Sequence, residues 1–163
     1  MRLVLLLLFL FPFSSAWTMG QASTLKVNNA LIGKIAPDVV LPKSDGTSSS
    51  VITSRQGKKA ILIFWATWCP HCYEDLGSLN KNIGSIEQKG VKIILVDIGE
   101  TKGDVQKYFN RRQMKLISFI DENSFLEETY HLIGIPTLIF IADKGFVRKV
   151  THKFPSDYQN YFN

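Results

Sequence analysis

The two cysteines of the chain lie three positions apart, in the tetrapeptide Cys69-Pro70-His71-Cys72. Cysteines at positions i and i+3 of a helix start can reach each other across one turn, so this pair can close a small disulfide ring. Pro70 favours the first turn of a helix, which places Cys69 immediately before the helix. The spacing therefore predicts a redox-active disulfide between Cys69 and Cys72.

The two thiols are expected to play different roles. Unsatisfied N–H groups and the positive end of the helix dipole lie beside Cys69 and favour its thiolate form. His71 adds to this effect when it is protonated, and Pro70 stiffens the turn. Cys72 falls on the apolar stripe of the helix, so we expect it to be more buried. Cys69 is thus predicted to attack a partner's disulfide, and Cys72 to resolve the mixed disulfide.

The same cysteines leave other functions open. A static disulfide gains little stability, because a loop this short constrains the unfolded chain only weakly. A copper or zinc site could use Cys69, His71 and Cys72, but nothing in the sequence places a fourth ligand beside them. The candidates, His131 and His152, are interpreted as surface residues. A peroxide-reducing enzyme would need a further cysteine, and the chain has only two.

Alternating strands and helices surround this motif. The apolar runs at residues 60–65 and 91–98 are typical of buried strands, and between them a helix is predicted from Pro70 to a C-terminal cap at Gly90. Further along, the pattern predicts a helix at 101–113, a strand at 116–120, a short helix capped by Ser124, a hairpin at 137–150 and a terminal helix at 156–162. Before the motif, an extended stretch at 36–41 could pair with residues 51–53. This order predicts an α/β domain with a mixed sheet.

Two segments carry a resemblance to a known family. Phe64-Trp65-Ala66-Thr67-Trp68-Cys69-Pro70-His71-Cys72 resembles the active-site strand, loop and helix of the thioredoxin superfamily, and Gly134-Ile135-Pro136-Thr137 is similar to its cis-proline loop. The hairpin region from Ile35-Ala36-Pro37-Asp38 and the segment 96–100 resemble the TlpA/ResA-like branch of extracytoplasmic thiol-disulfide oxidoreductases. The resemblance covers residues 33–150. It implies a thioredoxin-like three-layer α/β/α sandwich with a mixed central sheet and an N-terminal β-hairpin.

The resemblance also implies how a substrate is bound. The peptide bond before Pro136 is expected to be cis, and the backbone of Ile135 is expected to pair with an extended substrate segment as an added strand. Trp68, Pro70 and His71 are the other expected substrate contacts. Protein thiols and disulfides are the predicted substrates, and a membrane redox partner is expected to exchange electrons with the dithiol. No cofactor and no metal are expected, because the thiols themselves store the electrons.

The chain departs from the family pattern in two places. Thioredoxins carry a buried acid where this chain has Ile63, so a proton relay has to come from elsewhere. Asp75, three residues after Cys72, is predicted to accept the Cys72 proton; a plain solvated acid is the alternative. The Pro-His pair resembles DsbA-like oxidants, whereas Ile135 is typical of reducing thioredoxins. Reduction of target disulfides is the favoured direction, with disulfide formation or isomerisation as the alternative.

The N-terminus has the order of a secretory signal peptide. Arg2 precedes an apolar run at residues 3–13, and small residues then predict cleavage after Ala16 or Ala22. Residues 1–22 are therefore assigned to the signal and 23–163 to the thioredoxin-like domain. The apolar run is about half as long as the roughly 20 residues of a membrane span. We expect a soluble periplasmic or otherwise extracytoplasmic protein, with an uncleaved membrane anchor as the alternative.

Length and composition fit a single globular domain. The chain has 163 residues, of which 45% are hydrophobic and 20% charged, and a net charge of +5. This composition argues against global disorder. The basic residues do not form a run, so a nucleic-acid partner is not expected. A monomer is expected.

Overall fold

A computed structural model describes residues 29–162, and the predicted signal peptide lies outside the described residues. Seven strands form a hairpin and a larger sheet: β1 (Val40–Pro42), β2 (Ser48–Ser50), β3 (Lys59–Trp65), β4 (Val91–Ile98), β5 (Ser118–Asp121), β6 (Thr137–Ile141) and β7 (Val147–Thr151). The helices are α1 (Pro70–Gln88), α2 (Lys102–Arg111) and α3 (Phe125–Thr129), with 3-10 turns at Thr53–Arg55 and Tyr158–Phe162. Within this part of the chain, no helix has the length and apolar character needed to span a membrane.

The five-stranded sheet has the order β5-β4-β3-β6-β7. Strands β3, β4 and β5 run parallel, whereas β6 pairs antiparallel with β3, and β7 pairs antiparallel with β6. The predicted mixed sheet is therefore confirmed. Strand β3 lies at its centre, and every residue of β3 after Lys59 is buried, which explains its unbroken apolar sequence.

Alternate residues of β3 face two separate hydrophobic cores. Ile61, Ile63 and Trp65 pack with residues of α1 and α2 on one side of the sheet. Leu62 and Phe64 pack on the other side with residues of α3 and of the segment after the hairpin. Helical layers on both faces make the predicted three-layer sandwich, and Trp65 is a core residue with no exposed surface.

The N-terminal hairpin is present, but its second strand differs from the prediction. The residues that pair with β1 are Ser48–Ser50 rather than 51–53. Val51 and Ile52 are instead buried in the core, and the chain turns there into the 3-10 segment. Burial of these two apolar side chains thus ends the strand three residues earlier than expected.

The helix caps show how tertiary contacts modify local signals. Gly90 follows α1 with a φ of 79°, in the left-handed region that favours glycine after a helix. Ser124 is the N-cap residue of α3, as predicted, but its side chain makes no capping hydrogen bond. The carboxylate of Asp121 accepts the N–H groups of Phe125 and Leu126 instead, at 3.0 and 2.7 Å. A residue at the end of β5 therefore caps α3.

Candidate active site

The two cysteines form a disulfide at the start of α1. Their sulfurs are 2.09 Å apart, and their Cα atoms are 5.3 Å apart. Cys69 is the N-cap residue in an extended conformation, and Pro70 is the first residue of the helix. The Cys69 sulfur accepts a hydrogen bond from the Cys72 N–H at 3.2 Å. The helix therefore presents an N–H donor to the Cys69 sulfur, which would stabilise a thiolate there.

Burial distinguishes the two sulfurs less than the sequence predicted. Cys69 is 4% exposed and Cys72 1% exposed, so the expected order holds but the contrast is small. The two cysteines differ more in the residues that surround them. Cys69 follows Trp68, which is 67% exposed, whereas Cys72 lies on the buried stripe of α1 with Leu76 and Leu79. The two cysteines thus differ little in exposure, and the role of Cys69 as the attacking thiol stays a prediction.

The loop before β6 forms one wall of a groove beside the disulfide. The peptide bond between Ile135 and Pro136 is cis, in agreement with the resemblance. The groove has a volume of about 410 Å³, and its lining residues are Trp68, Ile98, Glu127, Leu132, Ile133, Gly134 and Ile135. Within residues 29–162, the backbone N–H and C=O of Ile135 form no hydrogen bond. The groove thus combines apolar side chains with a free backbone edge.

The other predicted substrate contacts lie outside this groove. Pro70 and His71 are exposed on the first turn of α1, and Pro136 is buried behind the loop. The structure therefore brings Trp68 and Ile135 together.

Asp75 does not line this groove. Its half-buried side chain lines a cleft of about 420 Å³ between α1 and the segment that contains Phe154. Burial raises the pKa of Asp75, although the Phe154 N–H and the charge of Lys153 oppose that effect. Its neighbour Glu74 is exposed. The environment of Asp75 thus fits a proton acceptor, and its part in the exchange stays a prediction.

Glu100 holds the loop that leads into the cysteines. Its carboxylate accepts the N–H and the hydroxyl of Thr67, each at 2.5 Å. The Cys69 N–H then donates to the carbonyl of Ala66 at 3.2 Å, which closes the turn around Thr67. The sequence alone gives Thr67 no role beyond that of a loop residue. The structure instead shows it as the point where the loop is tied to the end of β4.

Asp97 is a buried acid next to this clamp. It has no exposed surface and lies beside Trp65 in the register of β3 and β4. Burial, together with the neighbouring Glu100 carboxylate, raises the pKa of Asp97 to about 8, although the Glu100 N–H acts in the opposite direction. Sequence analysis assigned Asp97 no role of its own. The available signal was a single acid in the otherwise apolar end of the run at residues 91–98.

His152 contacts the residues that follow Ile135 in the cis-proline loop. The prediction of a surface histidine is wrong, because His152 is half-buried and its Nδ1 lies 2.9 Å from the Pro136 carbonyl oxygen. The same nitrogen is 3.2 Å from the Thr137 hydroxyl. His131, by contrast, is exposed as predicted. The described residues contain no cluster of three or more His, Cys, Asp or Glu side chains arranged to hold a metal ion.

Comparison with known proteins places this geometry among thiol-disulfide oxidoreductases. The model of the AhpC/TSA family matches residues 32–150. The thiol-disulfide oxidoreductase ResA of Geobacillus thermodenitrificans (strain NG80-2) is 30% identical over 150 residues, which are 92% of this chain and 84% of the relative. ResA of Bacillus cereus (strain ATCC 10987 / NRS 248) is also 30% identical, over 90% of this chain and 85% of its own.

A solved structure shows the same fold. The thioredoxin domain of a thiol-disulfide oxidoreductase from Bacteroides vulgatus superposes with a TM-score of 0.69 at 20% identity, over 81% of this chain and 98% of that domain. A match of this extent confirms the thioredoxin-like fold implied by the active-site and cis-proline motifs.

Proposed function

The chain belongs to the AhpC/TSA family and is an oxidoreductase of the ResA-like thiol-disulfide type, and we propose that it works outside the cytoplasm as a reductase of protein disulfides. The observation that carries the proposal is the Cys69–Cys72 disulfide at the N-terminus of α1, beside a groove with a free backbone edge. This arrangement joins a two-electron carrier to a site for an extended peptide.

The first step uses the reduced protein. The Cys69 thiolate attacks one sulfur of a target disulfide, the target S–S bond breaks, and the second target sulfur leaves as a thiolate that takes a proton from solvent. The new bond is a mixed disulfide between Cys69 and the target. During this step the target segment would lie along the groove, with its backbone paired to Ile135 and its side chains against Trp68.

The second step returns the disulfide seen in the structure. Cys72 loses its proton, and its thiolate attacks the Cys69 sulfur, so that the target's remaining sulfur leaves as a thiolate. Two electrons have then passed from the dithiol to the target. Asp75 is the proposed proton acceptor for Cys72, either directly or through water in the cleft that it lines. An external dithiol must reduce the protein again before the next cycle.

The exposed position of His71 supports the reducing direction. A protonated histidine beside Cys69 would stabilise the thiolate and make the protein an oxidant. His71 is exposed, however, so solvent and salt screen its charge. The reduced form therefore lacks the strong stabilisation that an oxidant needs.

A redox titration tests the direction. The Cys69/Cys72 couple would be equilibrated with dithiothreitol buffers and its oxidised fraction read by alkylation and mass spectrometry. We expect a potential at or below about −270 mV, the range of reducing thioredoxins. A value near −120 mV would make the protein an oxidant of the DsbA type instead.

Trapping variants test the reaction itself. Cys72→Ser should accumulate a mixed disulfide with a reducible protein such as insulin, whereas Cys69→Ser should form none. The pair are matched controls, since each removes one sulfur. Equal trapping by both variants would contradict the assigned roles of the two cysteines.

Export and a membrane partner complete the proposal. Residues 1–22 are proposed as the signal, with cleavage after Ala16 or Ala22 and retention as a membrane anchor as the alternative outcome. A related structure, 25% identical with a TM-score of 0.64, covers 74% of this chain and 92% of its own and is the exposed lipoprotein thioredoxin of Streptococcus pneumoniae strain TIGR4. Fusing residues 1–28 to a phosphatase that is active only after export tests the signal. A membrane-embedded reductase is the proposed electron donor to the monomer.

A further inference from the structure

The end of β4 carries two acids that serve no step of the exchange described above. Strand residues alternate between faces, so Asp97 shares the face of Val91, Ile93 and Leu95. Those residues belong to the core that also contains both cysteines and Trp65. Asp97 therefore lies under the redox site, on the α1 side of the sheet.

The backbone N–H of Glu100 favours a charge on Asp97, but burial outweighs it. Neither of its carboxyl oxygens accepts a hydrogen bond, although both are fully buried. The ion pairs formed within residues 29–162 join Lys92 to Glu87 and Lys107 to Asp104, so neither involves Asp97. A buried carboxylate without a partner is costly, and such a group keeps its proton instead.

The titratable groups around Asp97 also favour its protonated form. Glu100 follows β4, and Asp104 belongs to α2; both raise the pKa of Asp97. Tyr108 of α2 packs against Trp65, and its neighbour Arg112 lies over the Tyr108 ring. On β5, Asp121 is engaged at the start of α3, and α1 contributes the disulfide. The nearest acids disfavour a second negative charge, and the guanidinium of Arg112 contacts aromatic rings.

Glu100 acts on both sides: it raises the pKa of this buried acid and binds the loop that carries the cysteines. Its carboxylate accepts both hydrogen bonds from Thr67, two residues before Cys69. An ionised Asp97 would repel that carboxylate, whereas a protonated Asp97 is compatible with it. The protonation state of Asp97 can therefore affect the cysteine loop through the side chain of Glu100.

We propose, on the basis of the thiol-disulfide exchange described above, that Asp97 is a positioning residue that stays protonated at neutral pH and holds Glu100 in place to clamp Thr67 at the entry to the redox motif. Asp97 touches no substrate in this role. Loss of its proton loosens the clamp, and the reactivity of Cys69 changes with it.

The experiment measures the alkylation rate of Cys69 in the reduced full-length protein from pH 5 to pH 10, with iodoacetamide as the probe and mass spectrometry to identify the labelled cysteine. The wild type should show the ionisation of Cys69 and a second transition near the pKa of about 8 that burial gives Asp97. Asp97→Asn, which mimics the protonated acid, should retain the wild-type rate at pH 7 and lose the second transition. Asp97→Ala and Glu100→Gln should both change the rate at pH 7 by about threefold or more, because the clamp is lost.

A matched control removes a neighbouring charge without touching the clamp. Asp104→Asn changes an exposed acid of α2 and should keep the second transition, moved only slightly to lower pH because Asp104 makes the smallest of the contributions that raise the pKa of Asp97. The infrared absorption of a protonated carboxyl at pH 7, present in the wild type and absent in Asp97→Asn, gives a second readout that does not depend on Cys69. A second transition that persists in Asp97→Asn, or a missing carboxyl band, would overturn the proposal.

The outcome separates this inference from the proposed function. Alkylation and infrared absorption report on Cys69 and Asp97 even in a protein that reduces no substrate. A wild type that reduces insulin but shows no Asp97-dependent transition contradicts the positioning role alone. A wild type with that transition but without disulfide exchange contradicts the proposed function alone.

Discussion

The protonation of Asp97 should be visible in the stability of the whole domain. Its pKa is about 8 in the fold, against 3.8 for an ordinary aspartate. At about 1.4 kcal/mol per pH unit, ionising it inside the fold costs roughly 5 to 6 kcal/mol as a ceiling. Relaxation and water entry reduce such penalties, and we expect about half of this figure to be observed.

The sign follows from proton binding. Between pH 4 and pH 8 the folded state keeps a proton on Asp97 that the unfolded state has released, so the free energy of unfolding falls as the pH rises. The stabilisation is complete below the unfolded pKa and is lost once the pH passes the folded pKa. Replacing Asp97 with Asn removes this dependence, because the amide does not titrate.

The assay is urea unfolding of the oxidised protein, followed by tryptophan fluorescence from pH 5 to pH 9. From pH 5 to pH 9, the wild type should lose about 2 kcal/mol of unfolding free energy relative to Asp97→Asn. Asp104→Asn serves as the control and should follow the wild type. Wild-type and Asp97→Asn curves that stay parallel within about 0.5 kcal/mol would refute the reasoning.

Three further predictions concern the groove and the cleft. Asp75→Asn should slow the resolution of the mixed disulfide by more than about twofold in stopped-flow exchange, and the wild-type rate should rise with pH through the raised pKa of Asp75; a smaller effect would leave it a plain surface acid. Trp68→Ala should raise the KM for a protein disulfide by about tenfold, with an unchanged rate on a small disulfide such as cystine; equal losses on both substrates would contradict a docking role. His152→Ala should lower the unfolding free energy by about 1 kcal/mol in urea, because the Pro136 carbonyl loses its partner; an unchanged midpoint would show that the contact contributes nothing.

The sequence predicts the parts of this site that depend on neighbours along the chain. The disulfide follows from the three-residue spacing of Cys69 and Cys72, and the central strands follow from their apolar runs. The second hairpin strand is missed because Ser48–Ser50 has no apolar residue to mark a buried face. The carboxylate that caps α3 is missed because Asp121 belongs to another element.

The missed side chains of the site share a physical reason. Glu100, Asp97 and His152 act through contacts with residues that lie 15 to 33 positions away or on a neighbouring strand. Local periodicity in the sequence does not predict contacts between residues so far apart. Asp97 and Glu100 nevertheless lie at the end of a largely apolar strand, which is the pattern to inspect first in similar chains. His152 follows the mixed strand β7 and carries no such signal.

The hairpin has a consequence for how the protein meets unfolded chains. Its turn covers the outer edge of β5, where the Ser44 N–H donates to the Ser118 carbonyl at 2.8 Å and Lys43 bridges to Phe119. The opposite edge strand carries the exposed Arg148 and Lys149. Both borders of the sheet thus discourage edge-to-edge aggregation. Under the proposed function, a visiting strand instead pairs with the short stretch at Ile135 and departs after the exchange.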